Sequence, residues 1–410
     1  MKSLRDLYRI GPGPSSSHTI GPHLAAKSFF RYVSDLKPDH FEVTFYGSLA
    51  FTGRGHGSSK AVQSALSPYP CEIILDTKTV PPHPLTMAFR AYHKETLLKE
   101  ATYFSLGGGA LMSKEDASVN EREVYPFRNF EEIKIYLDSN GIRDLKDFCL
   151  RFEDENIDEY LLSVVRSMFS CVENGLSKNG KIPANSNHRL EWNRVAGDIY
   201  QSALASKDGD GKDTLLMTSF AYAVAEGNAC GESIVTAPTC GASGVLPAIL
   251  YFEHMYRKVP LNKIKDALYV AGVFGNLIKQ NSSIAGSVGG CQAEIGTASS
   301  MAAAAMSYLE GLHLYQIEYA AECAMEHFLG LSCDPVDGYV IIPCIERNGM
   351  GACRAYDSYL YARSIAPIRS NRVHFDDVVK AMKLTGDSLS PDYKETALGG
   401  LAKILAEKHC

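Results

Sequence analysis

The chain has 410 residues, 45% of them apolar and 21% charged, with a formal net charge of −6. That length suits two or three domains. The acidic balance excludes a nucleic-acid or anionic-membrane surface, so the expected partner is a small molecule.

Met1 to Arg9 alternates in charge and lacks the apolar run of a signal peptide. A polar loop follows, Gly11-Pro-Gly-Pro-Ser-Ser-Ser-His-Thr19, in which four Gly and Pro residues fix a turn. Three serines, a histidine and a threonine then stand before a helical pattern from Pro22 to Leu36. Hydroxyls and free backbone N–H groups at a helix start form a site for a carboxylate; an N-cap with surface serines fits the same residues.

His40 to Gly47 alternates apolar and polar side chains, a strand signal. The glycine-rich loop after it carries His56, and histidine is the usual proton carrier near neutral pH. His56 therefore ranks above His18 as a base, and His18 is assigned to substrate binding. Ser59 to Leu66 has helical spacing, and Cys71–Leu75 and Thr102–Leu106 are further strands, the last closing on Gly107, Gly108 and Gly109. A charged stretch, Ser113 to Glu123, is the candidate linker.

Beyond it the pattern turns helical: Asp158–Leu176, Trp192–Lys207, Asp213–Gly227, Ile264–Lys279, Ala293–Leu312, His313–Gly330 and Phe375–Thr385. Tyr339–Ile342 is the main strand-like run. The stretch Ile284 to Leu309 is apolar but carries Gln292 and Glu294, so it reads as a buried helix and not a membrane span. The expected class is α+β: a small α/β domain over residues 1–125 and a mostly helical domain over 126–410, soluble and cytoplasmic.

Eleven cysteines is an odd count, and thiols of a cytosolic protein stay reduced. Most buried cysteines act as small hydrophobes. Three stand in unusual settings. Cys291 lies in Gly286-Ser-Val-Gly-Gly-Cys-Gln-Ala-Glu294, where three glycines in five positions are not explained by helix propensity. Cys333 precedes Asp334-Pro335, and Cys344 follows Pro343, so both are expected at loop or turn positions. Three thiolates can hold an iron–sulfur cluster and leave a coordination position open, as catalytic metal sites do. Three buried thiols near turns are the plain alternative. The sequence ends on Cys410, an expected solvent-exposed terminus that a binding role would protect.

Together these segments resemble the iron–sulfur L-serine dehydratases (L-serine ammonia-lyases), in the single-chain form with the small domain first. The similar motifs are Gly13-Pro-Ser-Ser-Ser-His-Thr, Tyr46-Gly-Ser-Leu, Thr52-Gly-Arg-Gly-His56, Ser105-Leu-Gly-Gly-Gly, Val235-Thr-Ala-Pro-Thr239, Gly290-Cys-Gln-Ala-Glu294, Cys333-Asp-Pro-Val336 and Pro343-Cys-Ile-Glu-Arg-Asn348. The resemblance implies a [4Fe–4S] cluster on Cys291, Cys333 and Cys344, with Cys410 placed to cap the fourth iron. It also implies that Ser15, Ser16, Ser17, His18 and Thr19 hold the substrate carboxylate, and that His56 is the general base. It further implies a small domain like the allosteric substrate-binding fold, without an added ACT domain. L-serine or a close β-hydroxy amino acid would be the substrate and a homodimer the assembly. Threonine or cysteine as substrate, or an iron–sulfur sensor without turnover, are the alternatives. Three features depart from the family pattern: Gly57-Ser-Ser-Lys replaces a common Thr-Asp pair, Val288 a glutamate and Cys240 an asparagine.

Overall fold

The computed structural model describes residues 1–52, 56–119, 122–182, 192–207 and 209–408. An N-terminal strap leads through β1 (Ile10–Pro12) and a π-helical turn (Ser16–Ile20) into α1 (Gly21–Val33). There follow β2 (His40–Tyr46), α2 (Ser48–Thr52), α3 (Ser58–Leu66), β3 (Cys71–Asp76), β4 (Thr86–His93), β5 (Thr96–Gly107) and β6 (Ala110–Ser113). The strands form one sheet in the order β3-β2-β4-β5-β6. β2 and β3 pair in parallel through the α3 crossover, and the other pairs are antiparallel.

Strand alternation puts Phe41, Val43 and Phe45 on one face, and α1 covers it with Ala25, Ala26, Phe29 and Val33, all buried. Phe29 and Phe89 stand 5.4 Å apart, as do Phe89 and Tyr103, within the range of favourable ring contact. The stretch expected as a linker is tied to this domain. Asp116 is buried and accepts hydrogen bonds from Ser28 Oγ (2.7 Å) and Tyr103 Oη (2.8 Å).

The helical body contains α4 (Phe130–Ser139), α5 (Leu145–Cys149), α6 (Ile157–Ser177), the short pair β7 (Lys181–Ile182) and β8 (Trp192–Asn193), α7 (Ala196–Ala205), α8 (Lys212–Ala229) and β9 (Ser233–Val235). It continues with α9 (Val245–Met255), α10 (Leu261–Asn281), α11 (Gly286–Gly289), α12 (Thr297–Leu309), α13 (Leu314–Glu326), α14 (Cys344–Ile365), α15 (Phe375–Ser388) and α16 (Gly400–Glu407). In α6, Leu161, Val164, Val165, Met168 and Val172 make one buried stripe. α12 is different: every residue from Thr297 to Ser307 is buried. Its run of alanines lets α9, α10, α13 and α14 pack around it as the central helix. No helix among the described residues is long and apolar enough to cross a membrane.

The α+β class is as expected, and three local readings are corrected. Tyr339–Ile342 is not a strand but a run of bends and turns leading into α14, where Pro343 has no N–H for a ladder. Trp192–Asn193 pairs with Lys181–Ile182, so the helix expected from residue 192 begins at Ala196. Cys344 is not on a loop but is the first residue of the 22-residue α14.

The first residues of the chain join the helical body. Leu4, Leu7, Tyr8 and Ile20 share its core, the Met1 amino group donates to the Tyr125 carbonyl, and β1 pairs antiparallel with β9. The strap thus carries Ser15–Thr19 to the junction of the two bodies. The β5–β6 hairpin reaches the same junction. Gly107 and Gly108 have φ of +91° and +59°, and a Cβ on Gly107 would sit 2.9 Å from the Ala285 side chain. Left-handed backbone and close approach both require glycine there.

Candidate active site

On the small-domain side, Ser15 caps the π-helical turn, its Oγ accepting from the His18 N–H (3.1 Å). Ser15, Ser16, Ser17, His18 and Thr19 are all buried. His18 Nδ1 lies 2.9 Å from Ser17 Oγ and its Nε2 2.9 Å from Ser48 Oγ. Burial, and secondly the neighbouring His56, hold the His18 pKa well below the ordinary imidazole value. The ring is therefore neutral at pH 7, one nitrogen donating and the other accepting.

His56, in the turn before α3, is buried and not exposed as loop histidines usually are. Its ring centroid is 4.5 Å from that of His18, with a tilt of 33°. The backbone beneath the pair is fixed by side chains: Thr19 Oγ1 donates to the His56 carbonyl (2.7 Å) and Ser58 Oγ to the His18 carbonyl (2.5 Å). A cavity of about 320 Å³ opens beside them, lined by Thr19, His23, His56 and Lys60 from the small domain and by Cys230 and Ile341 from the helical body. Ser15–His18 are not among its lining residues. Gly53, Arg54 and Gly55 of the loop motif lie outside the described residues.

In the helical body, Cys291 and Cys333 are buried and Cys344 is half-buried. The Cys291 and Cys333 thiols are in hydrogen-bonding contact; this contact lowers the Cys291 pKa, and Arg347 adds to it. The same contact and burial push Cys333 well above the ordinary thiol value, and burial followed by the charge of Cys291 does so for Cys344. Three thiols thus influence one another, with a cation beside them. Glycine permits this crowding, since a Cβ at Gly286 would lie 3.0 Å from Cys333 Sγ and 2.9 Å from Glu294 Oε2.

The surrounding segments are pinned. Gln292 donates to the Gly289 and Met382 carbonyls and accepts from the Gly330 N–H. Cys333 N–H donates to the Tyr393 carbonyl, and Glu395 N–H to the Cys333 carbonyl, each at 2.8 Å. Arg347 donates to the Ser332 carbonyl (2.7 Å) and Asn348 to the Gly241 (2.7 Å) and Cys344 (2.8 Å) carbonyls. Burial raises Glu294, and it raises Glu395 to about 8 with the charge of Glu294 adding.

Among the described residues, no three His, Cys, Asp or Glu side chains close on a point that a single metal ion could occupy. A cluster has different demands, because its cysteines bind separate irons and only need to face a common space. The three thiols with Arg347 beside them meet that demand: thiolate charge is offset and the pocket is buried. Cys410 lies outside the described residues. The two halves of the site are linked by the Gly107–Gly108 hairpin, which abuts Ile284 and Ala285 just before the Gly286 loop.

Ser48 and Ser58, which fix the His18 environment, were within sequence motifs but not singled out. Arg347 and Glu294 likewise sat in the cysteine motifs without an assigned part. Glu395 had no local signal, because only the folded tail brings it to Cys333. Of the departing positions, Cys240 is buried and interacts with Glu294, while Val288 is 52% exposed.

A cavity shared by two bodies, with a buried histidine on its wall, is the build of an enzyme. Residues 3–74 match the model of the serine dehydratase beta chain, and residues 82–402 that of the serine dehydratase alpha chain. The chain is 37% identical to an L-serine dehydratase of Streptomyces coelicolor, with 99% of each chain covered. It is 34% identical to one of Helicobacter pylori and 34% identical to L-serine dehydratase 1 of Escherichia coli, each over 98% of this chain and 99% of the relative. The chain belongs to the serine dehydratase family and is a lyase.

Proposed function

We propose that this protein deaminates L-serine to pyruvate and ammonia by β-elimination of water, with a [4Fe–4S] cluster held by Cys291, Cys333 and Cys344. The observation that carries this is the gathering of those three thiols, from three separate segments, around Arg347. When bound, such a cluster supplies a Lewis-acidic iron that makes the β-hydroxyl a competent leaving group. Cys410 is the proposed fourth ligand at rest.

The chain's own residues do the rest. Ser15, Ser16, Ser17, His18 and Thr19, at the start of α1, are the proposed carboxylate site, with Thr19 reaching the cavity wall. His18, kept neutral by burial, holds the hydroxyl network in register through Ser17 and Ser48. His56 takes the α-proton from the cavity wall, its ring packed against that of His18. Loss of the β-hydroxyl gives 2-aminoacrylate, which tautomerises and hydrolyses to pyruvate and ammonia. Binding on one body and leaving-group chemistry on the other make the docked arrangement a requirement for turnover. The proposed working form is a cytoplasmic homodimer.

The test is anaerobic purification followed by L-serine turnover, with the visible spectrum recorded before and after exposure to air. A broad iron–sulfur band that bleaches together with pyruvate formation is the expected result. A persistent band without pyruvate, with threonine and cysteine also assayed, would shift the substrate or favour the sensor. A reconstituted sample with no band would remove the cluster.

A further inference from the structure

A hollow larger than the cavity beside His56 lies elsewhere in the molecule. About 780 Å³ lies between α13, the C-terminal half of α14 and the segment that follows it, and it shares no lining residue with the cavity beside His56. Three guanidinium groups line it: Arg354 from α14, and Arg369 and Arg372 from the connecting segment. Arg354 has Asp357 at 3.9 Å. Arg369 and Arg372 have no carboxylate within ion-pair distance among the described residues. Glu326, the last residue of α13, and His327 just after it also line the hollow.

The connecting segment is held in place without any ligand. The N–H groups of Ile368 and Arg369 donate to the Ile365 carbonyl, at 2.8 and 2.9 Å. Asn371 Nδ2 donates to the Glu322 carboxylate at 2.9 Å, which nails the middle of the segment to α13. Asn371 Oδ1 accepts from the Val373 N–H. Arg369 and Arg372 therefore flank an anchored residue, and a ligand would have little backbone to order.

We infer that this hollow is a binding site for a small phosphate monoester, with the phosphate dianion between Arg369 and Arg372. Two unpaired guanidinium groups match a dianion in charge, and their forked donors match phosphate oxygens in geometry. Arg354 supplies a third donor set. Glu326 repels an anion near α13, which fixes the orientation: phosphate toward the connecting segment, and the uncharged hydroxylated part toward Glu326 and His327. The site is independent of the cluster and of serine turnover, so its test does not use activity.

The experiment is calorimetric titration of sn-glycerol 3-phosphate, and separately of malonate, into the full chain at matched ionic strength. Saturable binding of one glycerol phosphate is expected. It should weaken about a hundredfold or more in the R369A/R372A variant, each lost charge-assisted contact supplying about tenfold. The melting temperature of that variant without ligand should equal that of the parent chain, because both arginines are exposed. E326Q should bind glycerol phosphate more tightly than the parent, a gain that a misfolded variant cannot mimic. Absence of saturable heat, equal affinity in R369A/R372A, weaker binding in E326Q, or malonate binding as tight as glycerol phosphate would each overturn the assignment.

Discussion

The two halves of the candidate site are built on opposite principles. The histidine pocket is built within the small domain: the hydrogen bonds of the His18 ring and those on the His18 and His56 carbonyls join side chains between Ser15 and Ser58. The cysteine pocket is remote. Cys291, Cys333 and Cys344 arrive on different segments, and Gln292, Tyr393 and Arg347 brace them across about a hundred residues of sequence. The first is organised before anything binds. The second holds thiols set apart by their contact and burial: Cys291 is lowered by its contact with Cys333, Cys333 is raised by the same contact and by burial, and Cys344 is raised by burial and then by the Cys291 charge.

The difference predicts how each half breaks. Cys333→Ala should remove the largest share: on the proposed reading the visible band and serine turnover both vanish. Retention of full turnover by that variant would sink the ligand assignment. His56→Ala attacks the other half. The band should stay intact while turnover drops by about 10²–10⁴-fold, the usual worth of a positioned base. A pair of variants that lose band and turnover together in both halves would mean that the pockets are not separable.

The same contrast explains what could be read from the sequence. The histidine half was legible because it leaves two short motifs, the Gly11–Thr19 loop with its hydroxyls and His18, and the glycine-rich loop that carries His56. The cysteines were legible by their glycine and proline neighbours, which helix propensity does not explain. Their bracing was not legible, because Glu395 reaches Cys333 through tertiary folding of the tail and carries no mark of its own. α14 was missed for a related reason: its buried face carries small and polar residues such as Asn348, Gly349 and Gly351, so no apolar stripe announces it. β4 and β6 were missed as well, and β4 sits in the middle of the sheet.

A smaller effect tests the junction between the halves. At Gly107 a methyl group would meet Ala285 at 2.9 Å, on backbone with φ of +91°. Gly107→Ala should cost roughly 2–4 kcal/mol in left-handed strain and overpacking. Much of that falls on the docked arrangement. The Michaelis constant for serine should rise about tenfold or more with the band unchanged, and a variant with parental kinetics would show that docking is not limiting.

The smallest effect concerns how the helical body tolerates a buried ionisable group. Glu253 on α9 is fully buried, with the Glu310 carboxyl beside it. Burial, and then the nearby Glu310, raises its pKa from 4.5 to about 7, with Arg257 opposing. A raised carboxyl pKa means that the folded state binds the proton more tightly than the unfolded one. The associated stability is complete below pH 4.5 and is lost as pH rises from there through about 7. The loss amounts to at most about 3 kcal/mol. Glu253→Gln keeps the shape and removes the ionisation. Its melting temperature should match the parent at pH 4 and exceed it by a few degrees at pH 8. A constant difference across that range would mean that Glu253 is already ionised in the fold, stabilised by Arg257, and that this body meets its buried charges as fully as the small domain does.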